Sequence, residues 1–416
     1  MTRTRQYFLP FVWITSLFFL WGFAHNLNPI LIPHLKKACV LSDFQSALID
    51  SAFFMAYFLV AVPAGLVLRR WGYKNGILAG LLLFAAGAFL FIPAADSRQF
   101  SLFLLALFII ASGLTFLETA ANPYITVLGE AETATRRLNL AQSFNGLAAT
   151  LAPAIGGWFI LSGVDLSGEA AMALGATELD RLLAAEAAAV KGPYLLIGLV
   201  VLAVAIAIYF THLPEVDEEG DIPDPSSSGP TIWRHVHLRH GVLAQFFYVG
   251  AQVCVSSFFI RYAAEAAGMP EKPAAYFLSI ALLGFMAGRF AGTWLMQFIA
   301  PARLLSGYAL VCMALLVVVV SLGGKLSIYA LIGVEFFMSI MFPTIFSLSV
   351  RSLGRDTRMG SSLVIMAIVG GALFPLLMGA MSDQLGIQKA YLVPLLCFLV
   401  VGWYGWRGHR LLPVPS

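Results

Sequence analysis

Three acidic side chains lie inside long apolar stretches of this chain, where few neighbours can compensate a charge: Asp50, Glu118 and Glu335. A charge in lipid costs at least ~2.5–3.5 kcal/mol, so each acid needs a chemical reason for its place. A buried carboxyl can bind ligand hydroxyls when it is ionised, or carry a proton when it is neutral. Structural alternatives stay open: a hydrogen bond to a neighbouring helix for Glu118 and Glu335, and contact with lipid headgroups for Asp50.

Amide side chains recur on single faces of the same apolar stretches. Gln142 and Asn145 are three residues apart, which places both on one helix face. Gln245 and Gln252 are seven apart and also share a face. Amides that bond hydroxyls, beside rings that cover an apolar face, suit a sugar; the alternative is that the amides join helices. The rings are Trp21, Phe247 and Tyr248, and the candidate binding residues are Asn26, Glu118, Asn122, Gln142, Asn145, Gln245 and Gln252.

Two further polar residues have candidate roles in coupling or gating. His25 could pair with Asp50 and set its proton affinity, although a histidine with ordinary hydrogen bonds fits equally. Arg289 is predicted at a cytoplasmic helix end, where it would secure a closed gate or the topology rather than bind substrate. We therefore predict proton coupling through Glu118 and Asp50, with gating or secondary roles for His25, Glu335 and Arg289.

Composition excludes a soluble protein. Of the 416 residues, 60% are hydrophobic and only 11% charged, against ~25% charged in soluble domains. The net charge of +3 comes from loop residues, and no basic patch suits nucleic acid. The four cysteines are scattered and predicted to be small apolar residues in or near helices, not metal ligands or disulfides. We expect no metal, no cofactor, no enzyme activity and no nucleic-acid partner.

Twelve apolar segments can each cross ~30 Å of hydrocarbon as a helix. They cover roughly 7–34, 43–68, 76–95, 100–128, 138–163, 192–213, 238–264, 274–299, 303–323, 326–350, 359–382 and 388–408. Prolines within them, including Pro123, Pro343 and Pro375, are predicted to bend their helices, which a membrane tolerates where helices line a cavity. The acidic, Ala-rich segment 164–191 is predicted to hold a surface helix outside.

The order of features in the first half of the chain returns about 220 residues later. Pro123 is followed by a basic loop at Arg136, and Pro343 by a basic loop at Arg355. Such a repeat indicates two six-helix halves with a site between them, the usual build of a secondary transporter. We place the N-terminal half at 1–213, a flexible cytoplasmic linker at 214–233 and the C-terminal half at 234–416.

Positive charge sets the orientation. If both termini are cytoplasmic, the inner segments hold sixteen of the 25 Lys and Arg residues and the outer segments nine. This bias favours cytoplasmic termini, although Lys36 and Lys37 in the first outer loop oppose it. The sequence thus predicts a multi-pass protein of the bacterial inner membrane, which we expect to be a monomer in the lipid bilayer.

Several motifs together resemble the fucose–galactose–glucose:proton symporters of the major facilitator superfamily, above all its L-fucose:proton symporters. They include Asn26-Leu-Asn28, Leu117-Glu-Thr-Ala-Ala-Asn-Pro123, Arg137-Leu-Asn-Leu-Ala-Gln-Ser-Phe-Asn145, Leu243-Ala-Gln-Phe-Phe-Tyr-Val-Gly-Ala-Gln252 and Gly288-Arg-Phe290, and they cover nearly the whole chain. The resemblance implies an all-α membrane protein of twelve transmembrane helices in two pseudo-symmetric six-helix halves.

The resemblance also implies roles and shows two departures. Glu118 matches the family acid of the fourth helix, tied to sugar binding and coupling. In these relatives an Asp that takes part in proton coupling follows the Asn-Leu-Asn run, but here that position is Pro29. We therefore predict that the acid has moved to Asp50 in the second helix. The general loop motif also lacks its acid, since Arg69 occupies that place.

The expected function is import of a monosaccharide with protons by alternating access. L-Fucose, galactose, glucose and N-acetylglucosamine all remain possible substrates. An uncoupled sugar facilitator stays open, since coupling could be lost with the acid at Pro29. Efflux of amphipathic compounds predicts a more apolar cavity than these amides give. An intramembrane enzyme would need a cluster such as Ser/His near a membrane surface, whereas most histidines fall in loops or at helix ends.

Overall fold

The computed structural model describes residues 3–27, 31, 34–35, 38–41, 43–160, 175–211, 213, 231–269 and 271–410. Every regular element in these ranges is helical. The spans of the first half are α1 Arg3–His25, α2 and α3 in the two parts of Asp43–Ser97, α4 Phe100–Val127, α5 Ala134–Ile160 and α6 Lys191–Phe210. Those of the second half are α7 Val236–Ser257 with Phe259–Ala267, α8 Glu271–Leu295, α9 Pro301–Leu322, α10 Gly324–Met338 with Met341–Ser349, α11 Thr357–Leu385 and α12 Ile387–Gly408. The predicted twelve-helix architecture is confirmed.

Length and apolarity account for most of these spans. Eight described helices are long and apolar enough to cross a membrane, or nine with the bent α7. The helix Asp43–Ser97 counts once in that number but contains two spans, α2 (43–71) and α3 (73–97), which meet at Gly72. Gly72 has φ 81°, a left-handed conformation that a residue without Cβ adopts at little cost, so the chain can reverse there.

Four of the later spans, α7, α10, α11 and α12, are interrupted, and in α10 and α11 the interruption lies near a proline. In α10 the helix stops at Met338 and restarts at Met341, just before Pro343. A proline removes the hydrogen bond to the carbonyl four residues earlier, here that of Ser339. In α11 a 3₁₀ turn, Ala367–Val369, precedes the segment that holds Pro375. By contrast, α7 bends by 54° after Ser257 without a proline, and α4 runs through Pro123 as one helix.

The predicted surface helix is present as Ala176–Ala188, which we term the outer helix. It attaches to the ends of neighbouring spans through ion pairs. Arg98 bonds Asp180 at 2.5 Å, and a buried pair joins His34 to Glu186 at 3.2 Å. Residues 161–174, which include the first part of the predicted outer segment 164–191, lie outside the described residues, as do 214–230 of the linker. The final residues of the predicted linker, 231–233, lie in a 3₁₀ turn, Thr231–Arg234.

The two halves meet along α2, α4 and α5 on one side and α8, α10 and α11 on the other. Small residues allow the close approach that helix packing in lipid requires. A Cβ on Gly65 of α2 would lie 2.6 Å from the hydroxyl of Ser362 in α11. Within the second half, a Cβ on Gly288 of α8 would lie 2.3 Å from the carbonyl of Phe336 in α10. Gly288 therefore lets its neighbour, Arg289, reach the α10 backbone.

Candidate functional site

Glu118 lies in α4 with its side chain buried inside the N-terminal half. The hydroxyl of Tyr57, from α2, donates to Glu118 Oε1 at 2.6 Å. Residues 112–126 of α4 are all buried, so this helix is surrounded by protein rather than lipid. Within the described ranges, Tyr57 is the one donor to the Glu118 carboxyl, and such a carboxyl retains acceptor capacity for a proton or a ligand hydroxyl.

A relay of amides leads from the Glu118 turn to the other half of the protein. Asn122 Nδ2 donates to the backbone carbonyl of Glu118 at 2.9 Å, and Gln142 Nε2 donates to Asn122 Oδ1 at 3.1 Å. Arg289 Nη1 then donates to the backbone carbonyl of Gln142 at 2.6 Å and lies 3.5 Å from its side-chain Oε1. Its Nε donates to the carbonyl of Ser339 at 2.9 Å. The relay joins α4 and α5 of the first half to α8 and α10 of the second.

The structure corrects the predicted place of Arg289. It lies six residues before the end of Glu271–Leu295 and is 4% exposed, so it is not at a helix end. Burial of an arginine is tolerated when its donors are satisfied, and here two carbonyls accept from it while its guanidinium lies 4.7 Å from the ring centroid of Phe285. Its contact with Gln142 links the halves, as the predicted gating role requires.

Prolines leave two backbone carbonyls free, one bonded across the interface between the halves and one bonded within the second half. Pro343 cannot donate to Ser339, whose carbonyl accepts from Arg289 of the same half instead. Pro123 cannot donate to Thr119, whose carbonyl accepts from Ser361 Oγ of α11 at 2.8 Å. The two prolines lie in the fourth span of their halves, so the repeat places an equivalent free acceptor in each half.

The predicted ligand-binding amides divide into two groups by burial. Asn122, Gln142 and Gln245 are 0%, 3% and 0% exposed, and no partner bonds either amide atom of Gln245 among the described residues. Asn26 and Asn145 are only half-buried. Gln252 also belongs to the half-buried group. Of the buried amides, Asn122 and Gln142 bond each other between α4 and α5.

Asn26 and Asn145 are placed by their own helices. Asn26 Nδ2 donates to the carbonyl of Gly22 at 2.7 Å, which fixes the end of α1. A Cβ on Gly22 would lie 2.7 Å from Asn145 Nδ2, so only glycine leaves room for that amide. Of the predicted ring platforms, Phe247 is half-buried while Trp21 and Tyr248 are buried at 2% and 0% exposure.

The remaining predicted site residues lie apart from this relay. The ring of His25 packs edge-on against Phe53, with centroids 4.9 Å apart. The Asp50 side chain and Pro29 lie outside the described part of the structure, so the predicted His25–Asp50 pair stays a prediction. Glu335 is fully buried in α10 and accepts from Ser256 Oγ at 2.7 Å.

The halves are joined most densely near the ends of the spans that we predict to be cytoplasmic. Thr135 and Ser347 share a hydrogen bond of 2.8 Å between the start of α5 and the end of α10. Arg358, at the start of α11, donates to the carbonyls of Leu68 and Arg69 at the end of α2 at 3.2 and 3.4 Å. These contacts hold the two halves together on this side.

Sequence reasoning missed the hydroxyl partners of this site. Tyr57 bonds a partner 61 residues away in sequence, and Ser361 bonds one 242 residues away. Ser256 donates to an acid 79 residues away. Hydroxyl residues are common in transmembrane helices, so their type alone gave no signal. In the part of the chain that the structure describes, no three His, Cys, Asp or Glu side chains are placed to share a metal ion.

A twelve-helix protein with two halves around a buried acid is a secondary transporter in architecture. The family model of the Major Facilitator Superfamily matches residues 12–371, and the chain belongs to that family. It is a multi-pass membrane transporter rather than an enzyme.

Curated relatives and solved structures agree with this assignment. The chain is 44% identical over 406 residues to the L-fucose-proton symporter of Escherichia coli, covering 96% of this chain and 93% of that one. It is 41% identical to the glucose/galactose transporter of Brucella abortus, covering 98% and 95%. A solved structure of the E. coli transporter in the outward conformation superposes with a TM-score of 0.90 at 42% identity, over 98% of this chain and 100% of that chain.

Proposed function

We propose that this protein imports a monosaccharide together with protons by alternating access between its two halves. The observation that carries the proposal is the Glu118 carboxyl, buried beside Tyr57 and one turn from the amide relay that ends at Arg289. A titratable group joined in this way to the contact between the halves can link protonation to their movement. The names of the relatives, which include an L-fucose-proton symporter and a glucose/galactose transporter, support a hexose-type sugar as substrate.

In the proposed cycle, the sugar enters from the open outer side and meets the half-buried amides first. Asn26, Asn145 and Gln252 donate to and accept from its hydroxyls. Sugar hydroxyls then compete for Glu118 and for the amide of Gln142. Disturbing Gln142 loosens its contact with Arg289, so the inner side can open while the outer side closes.

Proton entry supplies the driving force. One charge moving through a potential of ~100 mV releases about 2.3 kcal/mol, which corresponds to roughly fifty-fold accumulation before any contribution from a pH difference. We propose that Glu118 binds a coupling proton, and Asp50 stays our second candidate for that role. Asp50→Asn should then exchange sugar across the membrane but fail to accumulate it.

The movement that we propose is rocking of residues 1–213 against 234–416, with 214–233 as the flexible connection. We propose cytoplasmic termini on the basis of the distribution of Lys and Arg. Because each chain contains both halves of the site, a monomer suffices for transport. Labelling of a single cysteine placed at either terminus, in sealed right-side-out vesicles, tests the orientation.

Uptake of labelled L-fucose, D-galactose, D-glucose and N-acetylglucosamine into proteoliposomes tests the function. We expect an inward proton gradient to drive accumulation of one of these sugars, and competition among them to name it. Equilibration without accumulation would replace symport by facilitated diffusion. Transport of none of the four would contradict the proposed substrate class.

A further inference from the structure

Glu335 has the features of a second titratable site in the C-terminal half. It lies in α10, eleven residues after Gly324, hence about 16 Å along the helix from the outer end. Its side chain is 0% exposed. Ser256 Oγ donates to one carboxyl oxygen at 2.7 Å, and the other oxygen, Oε2, has no hydrogen-bond partner among the described residues.

The groups around Glu335 give it no compensating charge. Tyr248 of α7 donates its hydroxyl to the carbonyl of Met338, and Tyr391 of α12 donates to that of Val255. These are neutral groups already committed to the backbone. No described Lys, Arg or His forms an ion pair with the acid.

Two groups on other elements complete these surroundings. Cys312 of α9 donates its thiol to the carbonyl of Val334, next to the acid, at 3.7 Å. Arg289 of α8 bonds the Ser339 carbonyl, one turn further along α10, and the Gln142 carbonyl. An isolated carboxylate in such a place is costly, so a proton on Oε2 is the cheaper way to bury the group.

Ser256 provides a connection between this acid and the ligand side. Ser256 and Gln252 lie four residues apart on one face of α7, and both are half-buried. The helix bends by 54° immediately afterwards, between Ser257 and Phe259. A hydroxyl donates one hydrogen bond and accepts others, so Ser256 can bridge Glu335 to water or to a sugar hydroxyl near Gln252.

We propose that Glu335 binds and releases a coupling proton, with Ser256 as its connection to the ligand site. This inference rests on the proposed symport. The proton enters as a bond to Oε2 while the hydroxyl of Ser256 donates to Oε1, and its release leaves a carboxylate that Ser256 and entering water stabilise. The halves then carry one titratable acid each, Glu118 with Tyr57 and Glu335 with Ser256.

The test is the number of protons moved per sugar, measured in proteoliposomes as the proton gradient at which net sugar flux reverses. We expect Glu335→Gln to exchange sugar normally and to move one proton fewer per sugar than the unchanged protein. The matched control is Glu265→Gln, which removes an exposed glutamate bonded to Arg261 on the outer segment of α7. The control should keep the original ratio.

An unchanged ratio in Glu335→Gln would overturn the inference and leave the Ser256 contact as a helix-to-helix bond. If the unchanged protein shows no proton coupling, the proposed symport itself fails. That outcome differs from coupling that is present in the unchanged protein and unaltered in Glu335→Gln. If Glu335→Gln does not fold, the inference is tested instead with Ser256→Ala and Ser256→Thr, which leave Glu335 in place. We expect the pH dependence of sugar exchange to move in Ser256→Ala and not in Ser256→Thr, and the same profile in both would contradict the inference.

Discussion

At the scale of single residues, the proposed site depends on two acids, each of which accepts from one hydroxyl in the part of the chain that the structure describes. The contact between Tyr57 and Glu118 is 2.6 Å and the one between Ser256 and Glu335 is 2.7 Å. One donor leaves most of the hydrogen-bonding capacity of a carboxyl free for a proton, water or ligand. Removing the acid and removing its donor should therefore have different effects.

We expect Glu118→Gln to lower accumulation driven by a proton gradient. The amide is similar in size and keeps the contact with Tyr57 possible, but it cannot bind and release a proton as a carboxyl does. Because one coupled charge is lost, accumulation should fall by roughly fifty-fold at ~100 mV. Uptake in proteoliposomes checks this, and full accumulation by the variant would rule out Glu118 as a coupling group.

Tyr57→Phe should leave coupling in place but slow transport. The substitution keeps the ring, which packs 5.8 Å from that of Phe53, and removes only the donor to Glu118. A hydrogen bond to a charged group contributes about 1.5–3 kcal/mol, so the rate of sugar exchange should fall about tenfold or more. Tyr276→Phe, at an exposed position, is the control and should exchange at the normal rate.

At the scale of helices, prolines free carbonyls for contacts with side chains of other helices. Thr119 in α4 and Ser339 in α10 each lack a helical donor because a proline follows four residues later. The Thr119 carbonyl accepts from Ser361 of the other half, and the Ser339 carbonyl accepts from Arg289 of its own half. The prolines therefore contribute binding sites rather than only bends, and α4 indeed stays one helix through Pro123.

Pro123→Ala should favour the conformation with the inner side open. An alanine can donate to the Thr119 carbonyl and would compete with Ser361 for it. Loss of one hydrogen bond of about 1 kcal/mol changes the ratio of the two conformations about fivefold. Distances between spin labels at the inner ends of α4 and α11 measure that ratio.

Ser361→Ala removes the donor of the same contact and should shift the ratio in the same direction. The control is Pro375→Ala. Among the described residues, the carbonyl that Pro375 leaves without a helical donor bonds no group of the other half. A shift in Pro375→Ala equal to that in Pro123→Ala would show that helix stiffness, and not the carbonyl, matters.

Much of the helical framework was predictable, because twelve runs of about twenty apolar residues leave few other solutions in a membrane. Glu118 was predictable too, since an acid in such a run is conspicuous. Tyr57 and Ser361 were not, because their partners are distant in sequence and depend on how the halves meet. The predicted place of Arg289, at a helix end, was wrong. The residue is buried where it donates to the free carbonyl of Ser339, a contact that exists only in the folded protein.

At the scale of the whole molecule, a side chain of the second half and backbone carbonyls of the first meet at the inner side. Arg358 of α11 donates to carbonyls near the end of α2, and its guanidinium lies 4.8 Å from the ring centroid of Tyr73. Helix C-termini carry partial negative charge, which suits this cation. The contact joins the start of α11 to the end of α2.

Arg358→Gln should weaken inner closure and raise sugar exchange in the absence of a proton gradient. The variant loses the charge that interacts with the end of α2, worth about 0.3–1 kcal/mol at an exposed helix end. Arg303→Gln, at an exposed position at the start of α9, is the control. Equal exchange rates in the two variants would show that Arg358 has no part in closure.

The carbonyl freed by Pro123 has a consequence for water. Helix α4 cannot reclaim this acceptor, so when Ser361 withdraws, Thr119 exposes an unpaired oxygen deep in the membrane. Water must hydrate this oxygen before the inner side can open, and leave before it can close. Opening therefore draws in solvent as well as moving helices. We expect osmolytes that lower water activity on the cytoplasmic side to slow sugar release, and Pro123→Ala to lessen that sensitivity.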